Sequence, residues 1–370
     1  MTADTDERQQ LHSTSRGFFE KHSGEEAVRF TMETPSGYDR ALWELMAGQL
    51  GLQGLLIPEE FGGSAFGFTD MQIVLEEMGR ALVCAPFLSS AVLAVRALLA
   101  SGDDDRCADL LPGIAGGTSI VALAFTNRQG QWDPEDGAVT AHERSGGWTL
   151  QGKRWFVLDA AGADVVLVAA TTARGPALFA VDGRAGGVST TALQTLDMTR
   201  RLANIVFEDA TAAPVGEPGQ ADACLRQAFD AGLAALAAEQ LGGARKVMEM
   251  AVEYAKIREQ FGRPIGSFQA IKHKCADMLV EVESATAAAY AAGAAIDESS
   301  HEAGLLASLA KSYCSEAYCH AAAENIQIHG GIGFTWEHPA HLYFRRAKSS
   351  EMLLGTPTYH RERMLKELGL

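Results

Sequence analysis

Apolar residues recur at three- and four-residue spacings through the first third of the chain. Residues 39–47 and 68–78 show this repeat most clearly, and the repeat predicts amphipathic helices. Thr69 and Asp70 carry side chains typical of helix N-caps, so we expect them to begin the second of these helices. The pattern therefore predicts a helical N-terminal domain over residues 1–117.

Between residues 118 and 215 the helical repeat gives way to short β-rich runs that clusters of glycine and aspartate separate. Such runs are typical of a compact all-β unit. Its length suits a sandwich or a small barrel, which we expect to form the middle domain. The runs are residues 119–125, 148–152, 165–170 and 205–208.

From residue 221 to residue 370 the helical repeat returns in longer segments. The first of them, residues 221–260, contains no proline and is rich in Ala, Leu and Glu. Four helices with short breaks predict a four-helix bundle as the C-terminal domain, and hence an α+β fold for the chain. The other three segments are residues 267–298, residues 301–328 before Gly330-Gly331, and a short helix beginning near Thr356-Pro357.

Composition excludes several classes of protein. The 370 residues include 31 Lys+Arg and 47 Asp+Glu, for a formal charge of −16, and this acidic excess argues against nucleic-acid binding. No apolar run approaches the roughly 18 residues of a membrane span, and the N-terminus lacks the pattern of a secretory signal. The 6 cysteines and 10 histidines show no metal-ligand spacing. We therefore expect a cytoplasmic protein with reduced thiols, without a metal and away from membranes.

Two stretches carry a specific resemblance to a known family. Residues 254–273 read YAKIREQFGRPIGSFQAIKH, and residues 327–348 read QIHGGIGFTWEHPAHLYFRRAK. Both closely resemble the acyl-CoA dehydrogenase family, whose α–β–α domain order also matches the predicted elements. The resemblance implies a flavoprotein. Its cofactor is FAD, and a neighbouring subunit holds the adenine and pyrophosphate end.

The resemblance also implies which residues contact FAD. An arginine fork suits a diphosphate, and glycines let backbone N–H groups approach its oxygens. Residues 254–274 contain five Lys/Arg and one acidic residue, Glu259, so they form a basic patch on an acidic chain. The implied contacts are Arg258, Phe261 and Gln269 of an RxxFG…Q motif, Gln327, Gly330 and Gly331 of a QxxGG motif, and the threonines Thr126 and Thr356.

The catalytic half of the motif set is absent. In the family, a carboxylate removes the α-proton of an acyl thioester while the β-hydride passes to the flavin, and hydrogen bonds polarise the thioester carbonyl. The two positions where family members carry this glutamate are Leu354 and Gly232 here, and neither residue can take a proton. The backbone N–H of Leu354 remains available for the carbonyl. Glu351 is a weak candidate for a displaced base on the neighbouring helical position, and Glu239 is a second.

The β region departs from the family on the side that faces the flavin. Residues 123–132 read LAFTNRQGQW, which keeps Thr126 but has Trp132 where the family has serine. Residues 156–158 read FVL in place of a W-I-T motif, so a hydroxyl expected to bond the flavin is missing.

These departures resemble the base-lacking chain of heteromeric acyl-CoA dehydrogenases, in particular those for steroid side-chain thioesters, which are α₂β₂ assemblies of two homologous chains. The partners implied are a homologous subunit, an acyl-CoA and an electron-transfer flavoprotein. The activity implied is α,β-dehydrogenation of an acyl-CoA, in the heteromer only.

Three other hypotheses stay open at this point. The chain is an assembly subunit that stabilises a partner and its FAD, a self-sufficient homo-oligomer that uses a displaced base such as Glu351, or a flavin oxidase or monooxygenase of the same fold. Whether Lys311 points inward or to solvent is also open.

Overall fold

The strands predicted between residues 118 and 215 form one sheet in the computed structural model, which describes residues 5–132, 137–144 and 147–370. The strand order is β1-β4-β2-β3-β7-β5, and β4 also pairs with β5, so the sheet closes on itself. The pairing of β4 with β5 closes the barrel, while β1 is added beside β4 and β6 beside β7. The strands are β1 (Val121–Ala124), β2 (Val139–Arg144), β3 (Gly147–Leu158), β4 (Val165–Thr172), β5 (Gly175–Asp182), β6 (Val188–Ala192), which pairs with β7, and β7 (Leu202–Val215).

A bulge in β3 bends the barrel wall. The register of β3 against β7 shifts between Leu150 and Gly152. Gly152 has φ +135°, and a Cβ there would lie 2.2 Å from the carbonyl oxygen of Ala138. Only glycine satisfies both constraints, so the sequence requires it at this bulge.

Two groups of residues pack as separate units. Unit 1 contains Phe30–Gly67 and Cys84–Gly232, including the barrel, and unit 2 contains residues 5–29, Phe68–Val83 and Leu233–Leu370. The helices of unit 1 are α3 (Arg40–Leu50), α5 (Val95–Ser101), which follows a π-helical turn at Leu88–Ala94, and α6 (Asp104–Ala115). Asp39 caps α3 by accepting a hydrogen bond from the N–H of Ala41.

Unit 2 is built from long helices and a small β-hairpin. The chain passes from unit 1 to unit 2 within α7. The region after residue 221 contains the predicted helices and one more, α10, whose polar sequence hides its repeat. The elements are α1 (Thr5–His22), α2 (Glu25–Glu33, which crosses the unit boundary), α4 (Phe68–Arg80), α7 (Asp222–Ile257), the hairpin strands β8 (Glu259–Gln260) and β9 (Arg263–Pro264), α8 (Gln269–Asp297), α9 (Ala303–His329), α10 (Ala340–Met352) and α11 (Pro357–Glu367).

The start of α4 differs from the sequence prediction. Asp70 is not a cap: it lies inside the helix, is fully buried and pairs with Arg8 at 2.9 Å. The cap comes instead from Asp297 at the end of α8, whose carboxylate accepts hydrogen bonds from the N–H of Phe68 and of Thr69. A cap supplied by a distant helix leaves no local pattern in the sequence.

The α+β prediction, with a β-barrel between two helical regions, is confirmed. The three domain boundaries remain predictions. Within the described part of the chain, no helix has both the length and the apolar character needed to cross a bilayer.

We expect Asp297→Ala to lower the free energy of unfolding by about 1–2 kcal/mol, because two N–H groups at the start of α4 lose their acceptor. Chemical denaturation measures this loss. Asp277→Ala is the matched control, since Asp277 lies exposed on the same helix and should change stability by less than about 0.5 kcal/mol. Equal effects of the two substitutions would show that the cap is unimportant.

Candidate active site

The basic patch spans the end of α7, the hairpin that follows it and the start of α8. Phe261 and Gly262 form its tip with φ of +53° and +75°, and the Phe261 side chain is 93% exposed. The N–H of Ile265 donates to the carbonyl oxygen of Arg258 at 2.7 Å, which closes the hairpin. An apolar ring held this far into solvent is suited to contact another molecule.

The glycine pair lies where α9 ends. Gly330 has φ +65°, and a Cβ on Gly330 or Gly331 would meet no atom within 4 Å. Gln327 is exposed one turn earlier. The glycines are therefore not needed for close packing in this chain. Their bare backbone is open to a ligand or to another chain.

Side-chain contacts bring the two motifs together in unit 2. The ring of Tyr254, one turn before Arg258, stacks on His329 with centroids 4.2 Å apart and 25° between the planes. Lys274, near the start of α8, pairs with Glu324 of α9 at 2.5 Å. The end of α7, the start of α8 and the end of α9 are thus adjacent, and they carry Arg258, Gln269 and Gln327.

The chemistry of this patch suits a diphosphate. Arg258 is exposed and, among the described residues, forms no side-chain hydrogen bond or ion pair. Its neighbour Lys256 is already paired with Glu253 at 2.6 Å. A free guanidinium beside an open glycine backbone fits the pyrophosphate end of the FAD that the resemblance implies.

The buried amino group of Lys311 holds the turn around Leu354, one of the two positions where a base is expected from the family and absent from this sequence. Lys311 is fully buried, which resolves the open question about its direction. Its Nζ donates to Ser315 Oγ at 2.9 Å and to the carbonyl oxygens of Glu351 and Gly355, each at 3.1 Å. Burial lowers the Lys311 pKa to about 7. Three acceptors match the three N–H bonds of the ammonium, so the turn from Glu351 to Gly355 is firmly held.

A histidine holds the same turn from α11. His360 is fully buried, and its Nε2 lies 3.0 Å from the carbonyl oxygen of Leu354. Because a carbonyl only accepts, Nε2 carries the proton. Burial lowers the His360 pKa to about 3, so the ring is neutral at pH 7. No motif in the sequence points to His360. The one local sign of its role is its position, four residues after Thr356.

Leu354 itself is buried with φ +59°, a backbone conformation that is strained for leucine. No hydrogen bond from its N–H is found within the described residues. Thr356 caps α11 by accepting from the N–H of Tyr359 at 3.3 Å. The turn thus presents a donor but no acid–base group.

The two substitute carboxylates are both engaged. Glu351 pairs with Lys348 at 3.0 Å on α10. Glu239 is buried and paired with Arg346. Gly232, the other base position, lies in a fully buried stretch of α7. Neither glutamate is available as a free base in this structure.

In unit 1, the loop that resembles the family's flavin loop is a closed hairpin. Thr126 is buried, and its hydroxyl donates to the carbonyl oxygen of Trp155. A bridge pairs Thr126 with Trp132, and the side-chain oxygen of Asn127 accepts from the N–H groups of Gln129 and Gln131 at 2.9 and 3.0 Å. The hairpin therefore aims Trp132 back toward the body of the unit.

Trp132 fills the space beside this loop. It is 8% exposed, and its ring lies 5.6 Å from that of Phe229, which also contacts Phe125 at 6.1 Å. The Arg226 guanidinium covers the Trp132 ring at 5.4 Å. An aromatic cluster, defined as Phe125, Trp132 and Phe229, occupies the position where the family has a small serine.

Three family models together match nearly the whole chain. They describe the N-terminal, middle and C-terminal domains of acyl-CoA dehydrogenase and match residues 5–118, 122–210 and 223–369. The chain therefore belongs to the acyl-CoA dehydrogenase family, and FAD is its cofactor.

The relatives place the chain near steroid-type members of the family. It is 40% identical to the acyl-CoA dehydrogenase IpdE2 of Mycobacterium tuberculosis over 352 residues, which cover 95% of this chain and 94% of IpdE2. A variant of the Tcur3481–Tcur3483 steroid ACAD aligns with a TM-score of 0.90 and 31% identity, covering 98% of both chains. The ChsE4–ChsE5 complex from Mycobacterium tuberculosis aligns with a TM-score of 0.90 and 29% identity, covering 99% of this chain and 98% of that one.

We expect His360 to make the protein sensitive to acid. Between pH 6.5 and about 3 the unfolded chain binds a proton at His360 that the native state does not bind. Stability therefore falls as the pH falls through this range, by at most about 1.4 kcal/mol per pH unit from this group. In His360→Gln, which keeps an amide donor but does not titrate, the thermal midpoint should fall less over the same range. His301→Gln, at an exposed site, should retain the wild-type dependence. A wild-type slope in His360→Gln would contradict the assignment.

Proposed function

We propose that this chain is the base-lacking subunit of a heteromeric, FAD-dependent acyl-CoA dehydrogenase. The complex dehydrogenates an acyl-CoA thioester between its α and β carbons, and a homologous partner chain supplies the catalytic base. The acyl group is a steroid side chain or a related degradation product. Electrons leave through an electron-transfer flavoprotein.

The observation that carries the proposal is the state of the two base positions. Leu354 stands in a turn that Lys311 and His360 hold rigidly, so the fold around the base position is intact while the carboxylate is gone. Removal of an α-proton needs a positioned base. The pairing of Glu351 with Lys348 argues against a displaced base within this chain.

The aromatic cluster of unit 1 supports a division of labour between two chains. Replacing a small polar residue by Trp132, packed on Phe229, fills the side of the barrel that faces the flavin in the family. By contrast, the cofactor patch of unit 2, which consists of the RxxFG…Q and QxxGG motif residues, matches the family's motifs. This combination suits a chain that contributes FAD contacts to a partner but does not catalyse dehydrogenation beside its own barrel.

The exposed apolar side chains of unit 2 support a partner of the same family. Four large apolar side chains near the cofactor patch are between 54% and 93% exposed. They are Ile257 at the end of α7, Phe261 on the hairpin, and Phe334 and Trp336 in the segment after α9. Covering such residues is favourable by about 25 cal/mol per Å² of apolar surface. Two of the aligned structures, the Tcur3481–Tcur3483 steroid ACAD and the ChsE4–ChsE5 complex, are each named for a pair of proteins, which also favours a heteromer.

We assign the pyrophosphate and adenine end of FAD to Arg258, Phe261, Gln269, Gln327, Gly330 and Gly331, with Thr126 and Thr356 as further contacts. When bound, FAD accepts the hydride from the β carbon. The chain's own contribution is to neutralise the diphosphate through Arg258 and to admit it against the bare backbone of the glycine pair. The N–H of Leu354 is placed to polarise a thioester carbonyl.

Co-expression with a homologous chain encoded beside this one tests the proposal. We expect about one FAD per two chains and dehydrogenation of acyl-CoA thioesters by the complex, measured with an artificial electron acceptor, but none by this chain alone. Glu351→Gln in the complex should retain activity. Dehydrogenation by the isolated chain would instead establish the self-sufficient form. Loss of the complex's activity in Glu351→Gln would do the same. A complex that binds FAD and remains inactive toward fatty-acyl and steroid-side-chain thioesters would indicate an assembly subunit.

The cofactor assignment predicts that Arg258→Ala releases FAD. Loss of the guanidinium removes a charge-assisted contact to the diphosphate, so we expect FAD to dissociate at least 10-fold more readily from the complex. The absorbance of FAD after gel filtration measures the retained fraction. Arg40→Ala is the control, because Arg40 is an exposed arginine whose ion pair, among the described residues, is with Glu44 of the same helix. Wild-type retention in Arg258→Ala would remove this residue from the site.

A further inference from the structure

We propose that unit 2 contains a second ligand site, a crevice that binds a monocarboxylic acid with a compact apolar body through Lys246. This site lies apart from the cofactor patch and from the turn at Leu354. It uses no residue that the proposed function assigns to FAD or to the reaction.

The crevice has a volume of about 310 Å³ and is enclosed by α1, α2, α4, α7 and α10. This volume falls at the lower end of the range for small-molecule pockets. Much of the lining is apolar, so a hydrocarbon chain or ring is favoured there over water. The apolar lining includes Phe19, Val28, Met250 and Leu342.

Two arginines that line the crevice are already neutralised. Arg16 binds the Glu77 carboxylate with two hydrogen bonds of 3.1 and 2.8 Å. Arg80 binds Glu249 with two contacts of 2.8 and 2.5 Å. The Tyr343 hydroxyl donates to the carbonyl oxygen of Arg80 at 2.7 Å. These groups form fixed walls and have their charges matched.

Lys246 differs from them. It is half-buried in the crevice, and it has no hydrogen bond or ion pair with any other residue that the structure describes. Burial, and then the nearby charge of Arg80, lower its pKa, while the charges of Glu249 and Glu20 act in the opposite direction. A carboxylate in contact with Lys246 would supply a direct ion-pair partner and accept hydrogen bonds from its free N–H donors.

The other charges limit the ligand to a monoanion. Glu20 and Glu25 line the crevice and are exposed, and Glu25 is paired with Arg29. With Arg16 and Arg80 matched, Lys246 is the one cation of the described lining that has no direct ion-pair partner. A phosphate-rich molecule such as a coenzyme A thioester would be repelled by these carboxylates. A free carboxylic acid with an aliphatic or ring body matches both the charge of Lys246 and the apolar lining of the crevice.

Titration of the full-length protein, as the FAD-loaded complex with its partner chain, tests the site with octanoate as the probe. Calorimetry should show saturable binding of one octanoate for each copy of this chain. Lys246→Met, which keeps the length of the side chain but removes its charge, should weaken binding at least 10-fold. Lys366→Met, at an exposed lysine of α11, should bind octanoate like the wild type. Octan-1-ol, with the same chain and no charge, should bind at least 10-fold more weakly than octanoate.

Three results would overturn the site. They are non-saturable uptake of octanoate, equal binding by Lys246→Met, and equal binding of octan-1-ol. An unchanged thermal midpoint and FAD content in Lys246→Met would show that the variant is folded and loaded. Failure of this test leaves the proposed dehydrogenase function untouched, because FAD content and activity of the complex are measured separately.

Discussion

Three buried carboxylates on α4 determine how the helices of unit 2 pack. Asp70, Glu76 and Glu77 are at most 2% exposed. A carboxylate left unpaired in such a place costs several kcal/mol, so each needs a cation from another helix. Arg16 of α1 reaches Glu77, and Arg245 of α7 reaches Glu76. Hydrophobic burial drives these helices together, and the charge pairs specify the registers in which they meet.

A buried basic group at the candidate active site also needs partners. Lys311 donates its hydrogen bonds to a hydroxyl and two backbone carbonyls rather than to a carboxylate. The turn from Glu351 to Gly355 therefore keeps its shape whatever side chain residue 354 carries. The fold around Leu354 therefore does not require a carboxylate at this position. In the proposed heteromer, such a chain provides a scaffold and FAD contacts to its partner.

Much of the architecture follows from local patterns. The period of apolar residues predicts α3, α7, α8 and α9, and the β-rich runs predict the barrel, because each element must bury one face. One prediction was wrong, and one helix was not predicted. Asp70 looks like a cap in sequence, yet it is a buried ion-pair partner, because both roles favour a short acid near the start of a helix. The polar α10 carries too weak a repeat to be recognised.

The sequence by itself determined the family and the cofactor, because these depend on residue identity at set spacings, as in residues 254–273; the absence of a base at Leu354 stays a prediction. Only the tertiary structure decided that Lys311 is buried, that Glu351 is paired with Lys348, and that Lys246 has no direct ion-pair partner among the described residues. Those facts depend on which side chains meet across segments far apart in the chain. Burial and ion pairing decide whether a side chain is charged and whether it can bind another molecule. Neither can be read from the local sequence.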